Sequence, residues 1–204
     1  MISIYQLKSR FQALLRPFVK KLYDYSITAN QITLVACLGS LFVTLIVICT
    51  LPDRWILWLI PVWMFIRMAL NAIDGMLAKE FGQKSNLGAY LNELCDVVSD
   101  SLLFIILFYL PDISWILVVI LIISSFLTEY AGVLGPLIGS SRRYDGPMGK
   151  SDRALLYGII SAGIAIGWLP TTWLNVIFSI MILLLMSTVI NRVRAGLNEH
   201  LYQK

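Results

Sequence analysis

Histidine is almost missing from this sequence; His200, near the end, is the single one. That argues against histidine-based catalysis and against a zinc centre. Cysteine is scarce too. Cys37, Cys49 and Cys95 all fall inside apolar segments, without metal-ligand spacing or a disulfide framework. They read as small packing residues, Cys95 being set apart only by its neighbour Asp96. Charged residues make up 14% of the chain, against roughly 25% in ordinary soluble domains. No internal repeat is visible, which argues against a transporter built from repeated halves. The first 25 residues have no long apolar core and no small-residue cleavage site, so they are not expected to be a signal peptide. No nucleic-acid partner is expected.

What is present is apolar. Of 204 residues, 58% are hydrophobic, and the mean hydropathy is +0.79. This composition belongs to a polytopic, all-α integral membrane protein. The length allows about six transmembrane helices and little else. Residues 1–25 form a separate unit. Ile4, Leu7, Phe11, Leu14, Leu15 and Phe18 recur at helical spacing, with Lys8, Arg10, Arg16, Lys20 and Lys21 between them. The pattern predicts an N-terminal amphipathic interfacial helix, bent or broken near Pro17. The alternative is a helix packed on protein.

Residues 26–204 form the membrane domain. Thr28 or Asn30 can cap its first helix. Spans are expected over residues 31–51, 55–79, 87–110, 113–138, 154–168 and 172–193. Turns lie at Pro52-Asp53-Arg54, at Pro111-Asp112 and at Leu169-Pro170-Thr171. The fourth span contains Glu129, and the longest polar loop runs over residues 139–153. With six spans both termini share one side. That side carries the N-terminal cations, Lys79, Lys84, Arg142, Arg143, Lys150, Arg153, Arg192, Arg194 and Lys204, while the other carries only Arg54. The termini and the turn at residues 80–85 are therefore expected to face the cytoplasm, in a bacterial-type inner membrane.

The chain is organised around residues 71–100. This stretch begins in one apolar segment, crosses a polar turn and ends in the next. It holds Asp74, Glu93, Asp96 and Asp100 with the carboxamides Asn71 and Asn92, and Arg67 lies just upstream. A charge at a bilayer centre costs roughly 2.5–3.5 kcal/mol on insertion scales, so a cluster of them points to function. Arg67, Asn71, Asp74 and Ala78 share one helix face; Asn92, Asp96 and Asp100 share another. A short turn makes the two helices antiparallel neighbours. Arg67 then comes level with Asp100, and a deep structural ion pair between them is expected, leaving Asp74 and Asp96 for chemistry. Gly75, Ala78 and Gly88 leave room for a bulky group.

Two carboxylates on facing helices, with amide oxygens beside them, suit a hard cation such as Mg2+ or Mn2+. Lys79, Arg142, Arg143, Lys150 and Arg153 can hold a phosphate. Singly, such residues more often set topology or touch anionic lipid. Metal and phosphate clamp together, at a lipid–water boundary, point to phosphoryl transfer.

These residues resemble the motif of the CDP-alcohol phosphotransferases, Asp-x2-Asp-Gly-x2-Ala-Arg-x8-Gly-x3-Asp-x3-Asp. The register here is Asn71, Asp74, Gly75, Ala78, Lys79, Gly88, Asn92 and Asp96, with every interval kept. Asn replaces the first and third Asp, and Lys replaces the Arg. The family's Thr-Pro-Asn-x2-Thr is similar to Thr28-Ala29-Asn30-x2-Thr33. The resemblance implies transfer of a phosphatidyl group from CDP-diacylglycerol, or another CDP-alcohol, to a small polar alcohol, with release of CMP. It implies metal ligation by Asp74 and Asp96, with Asn71 and Asn92 as neutral carbonyl donors, and Asp96 as general base. Gly75 and Ala78 would line the nucleotide pocket, with Lys79 and Asn30 nearby. Lys150 and Arg153 would sit where members handling phosphorylated acceptors place basic residues, and Arg142 and Arg143 of the basic loop are candidate acceptor contacts beside them. A homodimer among membrane lipids is implied as well. Two carboxylates in place of four lead us to expect one tightly held metal, or two held weakly. Glu93 points about 100° away from Asn92 on an ideal helix. The alternative expectation is a catalytically silent member of the fold that binds lipid or nucleotide.

Overall fold

A computed structural model describes residues 4–51 and 53–202, with side chains for residues 10–51 and 53–201. Pro52 and Lys204, both used in the sequence reading, lie outside the described residues, as do the side chains of Ile4, Leu7 and Lys8. The described residues form seven α-helices and no strands. They are α1 (Ile4–Asp24), α2 (Ala29–Thr50), α3 (Leu59–Glu80), α4 (Asn86–Ile105), α5 (Trp115–Leu134), α6 (Lys150–Ala165) and α7 (Leu174–Tyr202). Short 3-10 turns lengthen α3 at its start and α4 and α5 at their ends.

Local chemistry sets the helix starts. Thr28 caps α2: its hydroxyl accepts from the Gln31 N–H, while the Gln31 side chain accepts from the Thr28 N–H at 2.8 Å. Ser85 caps α4 by accepting from the Gly88 N–H at 2.9 Å. Between α3 and α4 the chain turns through Gly82, at φ +69, a left-handed conformation that glycine adopts without strain. The reversal sets α3 and α4 antiparallel, but they pack little on each other directly; α2 packs against both, in departure from the neighbouring pair expected above.

The sequence reading counts six spans. By length and apolar composition, four segments among the described residues qualify: Ala29–Thr50, Arg54–Glu80, Trp115–Ile138 and Thr171–Leu201. The helices that fall short have physical reasons to do so. α4 carries Glu93, Asp96 and Asp100. α6 has 16 residues, about 24 Å of helix against a hydrocarbon core of about 30 Å. These two helices hold Asp96 and Lys150, so polarity was concentrated where the site is.

α1 also differs from expectation. It passes through Pro17 without a break. Part of its apolar face packs on protein: Val19 is buried with Ile73, Met76 and Leu77 of α3, and Phe11 meets Phe65 edge-on at 6.2 Å. Arg16 bonds Glu80 at the end of α3. Leu14 and Phe18 remain outward-facing. Of the two arrangements that its sequence pattern left open, packing on protein is seen for this part of α1. A larger apolar core, with Ile60, Met64, Leu103, Phe104, Tyr157 and Phe178, joins α3, α4, α6 and α7 beyond the polar layer.

Candidate active site

Asp74 and Asp96 come from the antiparallel pair α3 and α4. Asp74 is buried, and its Oδ2 accepts from the Thr33 hydroxyl of α2 at 2.8 Å. Lys150 and Asp96 are among the charged groups that act on Asp74 electrostatically. Asp96 is itself held by two cations. The Lys150 ammonium, at the start of α6, contacts its Oδ1, and Arg67 Nη2 lies 3.6 Å from the same oxygen. Arg67 also donates to the Asp96 backbone carbonyl at 3.1 Å.

One turn deeper, Asp100 is gripped by Arg67 through Oδ1 at 2.5 Å and by Arg153 through Oδ2 at 2.7 Å. Arg153 was expected to face an acceptor phosphate. The structure instead buries it, at 2% exposed; its Nη1 donates to the Thr128 hydroxyl and its Nη2 also donates to Glu129, each at 3.0 Å. Four of the five N–H donors of this guanidinium are thereby engaged within the protein. Glu129 was placed in a span but given no role. It is a hub on α5, facing Arg153, Arg142 and Arg192. Its signal was in the sequence, as a lone acid inside an apolar run. Arg192 was read as an orientation charge; it is buried and bonds the backbone carbonyls of Thr128 and Asp145.

The polar loop folds back over these groups. A Cβ at Gly132 would lie 2.7 Å from the Arg143 carbonyl oxygen, and one at Gly135 would lie 2.5 Å from that of Ser141. The missing side chains let the loop sit directly on α5. Arg142 bridges Glu93 at 2.6 Å and Glu129 at 3.5 Å, with its guanidinium 4.4 Å from the Tyr144 ring centre. Burial works against the Arg142 charge, but Tyr144, Glu93 and Glu129 outweigh it and raise the pKa. Arg143, also expected at an acceptor phosphate, bonds Asp145 at 2.9 and 3.0 Å and pairs with Glu199. Its hydrogen bond holds the Asp145 carboxyl below the usual range. Arg143 thus anchors the loop rather than lining the cavity beneath it.

That cavity measures about 330 Å³; Asp96, Glu129, Arg142, Tyr144, Lys150 and Arg192 are among its walls. On the α2 side, Asn30 lies against Gly88, where a Cβ would meet its Oδ1 at 2.7 Å. Gly75 faces open space, with nothing within 4 Å of a Cβ built there. Asn71, Ala78 and Asn92 are half-buried, and Lys79 is exposed.

The donors available to a metal are all oxygens. Among the described residues no three His, Cys, Asp or Glu side chains gather to hold an ion. There remain two carboxylates, with the carboxamides of Asn71 and Asn92 on the same two helices. Asp96 already carries one cation, the Lys150 ammonium. This set suits a single hard divalent ion better than a pair.

Residues 26–135, which contain both the Thr28–Thr33 segment and the 71–96 motif, match the family described as CDP-alcohol phosphatidyltransferase. The chain belongs to that family. Inner membrane protein YnbA of Escherichia coli (strain K12) is 44% identical over 196 residues, covering 96% of this chain and 97% of its own. The archaetidylinositol phosphate synthase of Aeropyrum pernix is 26% identical over 107 residues, covering 47% of this chain and 55% of its own. The fold is similar to that of the Mycobacterium tuberculosis phosphatidylinositol phosphate synthase PgsA1 in complex with manganese and citrate. The TM-score is 0.69 at 19% identity, over 88% of this chain and 87% of that one. For PgsA1 with CDP-DAG bound, the TM-score is 0.65 at 21% identity, over 90% and 92%. Asn71, Lys79 and Asn92, the positions at which the sequence reading expects departures from the motif, all lie within the matched residues.

Proposed function

We propose that this protein transfers the phosphatidyl group of CDP-diacylglycerol to the hydroxyl of a small polar alcohol, releasing CMP. One observation carries the reading. Asp74 and Asp96, in the register of the family motif, sit on α3 and α4 close enough to interact electrostatically, and Asp96 walls a cavity together with Lys150, Arg142 and Arg192. The donor is supported by the fold shared with PgsA1, which has been solved with CDP-DAG bound. An anionic acceptor is supported by these cations, and by the name of the Aeropyrum pernix relative, a phosphate synthase.

In this reading Asp74, Asp96 and the carbonyl oxygens of Asn71 and Asn92 would hold Mg2+ or Mn2+, which would neutralise charge on the pyrophosphate. Thr33 fixes the orientation of the Asp74 carboxylate. Gly75 and Ala78 leave space for the nucleotide, with Asn30 and Lys79 at its edges. Asp96 takes the proton of the acceptor hydroxyl. The hydroxyl oxygen bonds to the phosphorus that carries diacylglycerol, and the bond from that phosphorus to CMP breaks. Lys150 and Arg142 attract the acceptor's anionic group, while Arg143 and Arg153 hold the loop and the helices that present them.

We also propose that α2 to α7 all cross the membrane, in a bacterial inner membrane, as a homodimer with termini and site on the cytoplasmic side. α4 and α6 would be shielded there by their neighbours.

The test is CMP release by purified protein given CDP-diacylglycerol, Mn2+ or Mg2+, and a pool of polar acceptors. Release lost on chelation and in Asp96→Asn supports the reading. The two asparagines and the Lys150–Asp96 contact favour a second reading, a silent member that binds lipid or nucleotide. It expects CDP-lipid binding that ignores both metal and Asp96→Asn.

A further inference from the structure

The cations around the cavity are not held alike. Arg67 is tied to Asp100 and to the Asp96 carbonyl. Arg153 is tied to Asp100, Thr128 and Glu129. Arg142 bridges Glu93 and Glu129, and Arg192 reaches Glu129 and two backbone carbonyls. Lys150 differs. It contacts the Asp96 carboxylate from the first residue of α6, its side chain is 27% exposed, and it opens onto the cavity. Lysine is a point charge on a flexible stem, with no fork geometry to preserve. Of the cations walling this cavity it is the one that a new anion can redirect at least cost.

We infer that Lys150 is a switch on Asp96: it covers the carboxylate while the cavity is empty, and a phosphate monoester on a soluble acceptor draws it away. The inference rests on the proposed transferase reading for its purpose, but not for its test. Asp96 cannot serve an ammonium and a divalent ion equally, since both compete for the same oxygens. With Lys150 in place, one oxygen of Asp96 is occupied, and Asp96 is a poorer metal ligand. With Lys150 turned to the acceptor phosphate, Asp96 is released next to the hydroxyl that it must serve. Arg67, held by Asp100, stays behind and keeps Asp96 in position. The arrangement selects for anionic acceptors, because a neutral alcohol leaves Lys150 where it is. By linkage, acceptor phosphate and metal must then strengthen each other's binding.

The experiment measures Mn2+ affinity by electron paramagnetic resonance on full-length protein in neutral phosphatidylcholine nanodiscs, with and without glycerol 3-phosphate. Protein-free controls correct for Mn2+ in complex with the phosphate. The wild-type protein is expected to bind Mn2+ roughly fivefold or more tightly when glycerol 3-phosphate is present. Lys150→Met is expected to show the tighter affinity already, with little further gain. Lys150→Arg, which keeps the charge, is expected to stay weak without the phosphate. Wild-type affinity that ignores glycerol 3-phosphate overturns the switch, whether or not the methionine variant folds. So does a folded Lys150→Met that binds Mn2+ as weakly as wild type, or one that responds to the phosphate just as strongly. Nanodiscs containing phosphatidic acid form a separate arm; tightening there alone overturns the soluble acceptor in favour of a lipid headgroup. CMP release is assayed on the same samples. Linked binding without CMP release sinks the transferase reading and leaves the switch; CMP release without linkage does the reverse.

Discussion

Arg67 and Arg153 share one carboxylate. Arg67 reaches Asp100 from α3 and Arg153 reaches it from α6, so a single side chain of α4 fastens both of these helices, which pack on each other. Asp100→Asn would leave two buried guanidinium groups short of a counter-charge. Breaking a buried pair costs about 3–5 kcal/mol. A marked fall in the thermal unfolding temperature of the purified protein is expected. An unchanged melting curve would mean that this layer does not hold the helices together.

Thr33 offers a cleaner separation of stability from function. Its hydroxyl donates to Asp74 across α2 and α3. A hydrogen bond to a charged group contributes about 1.5–3 kcal/mol. Thr33→Val keeps the shape and removes the donor. If orientation of Asp74 matters for the reaction, CMP release falls roughly tenfold or more in protein that remains folded, with the melting temperature lowered by only several degrees. The opposite pattern, lower melting with intact turnover, would reduce Thr33 to a packing role.

Chelation addresses the metal directly. EDTA is expected to abolish CMP release, and Mn2+ or Mg2+ added in excess to restore it. Asp74→Asn removes one of the two carboxylates and should lower release at least about a hundredfold, with no rescue by metal. Turnover that survives both treatments would rule out metal-assisted transfer at this site.

The seat of the polar loop can be tested at Gly132. A leucine there would collide with the Arg143 carbonyl and with Arg192 Nη1, 2.7 and 3.1 Å from the position of a Cβ. The loop should lift from α5 and expose Arg142 and Arg143. Trypsin, added to the purified protein, is expected to cleave Gly132→Leu much faster than wild type. Equal cleavage rates would show that the loop is held elsewhere.

Much of this arrangement was legible in one dimension. Periodicity places Arg67, Asn71 and Asp74 on one face of α3, and Asn92, Asp96 and Asp100 on one face of α4. The tight turn between them brings Arg67 to the level of Asp100, where the two are in contact. The motif intervals located the family. Other residues resisted the same reasoning. Arg153 and Arg143 sit in a basic stretch that reads as a phosphate clamp, yet carboxylates distant in sequence claim both. Glu129 and Arg192 are far apart in the chain, and neither names its partner. Counting six spans also treated α4 and α6 as ordinary spans, although their charge and length set them apart.

Composition and spacing by themselves determined the solvent, the helical class, the faces of α3 and α4, and the family. Those properties follow from sums along the chain and from the fixed geometry of a single helix. Tertiary structure decided which cation meets which carboxylate. Arginine and lysine side chains are long enough to reach several helices, so proximity in sequence does not choose among partners. Only the packing of α4, α5, α6 and the loop around one cavity commits Arg153 to Asp100, gathers three arginines on Glu129, and leaves Lys150 resting on Asp96.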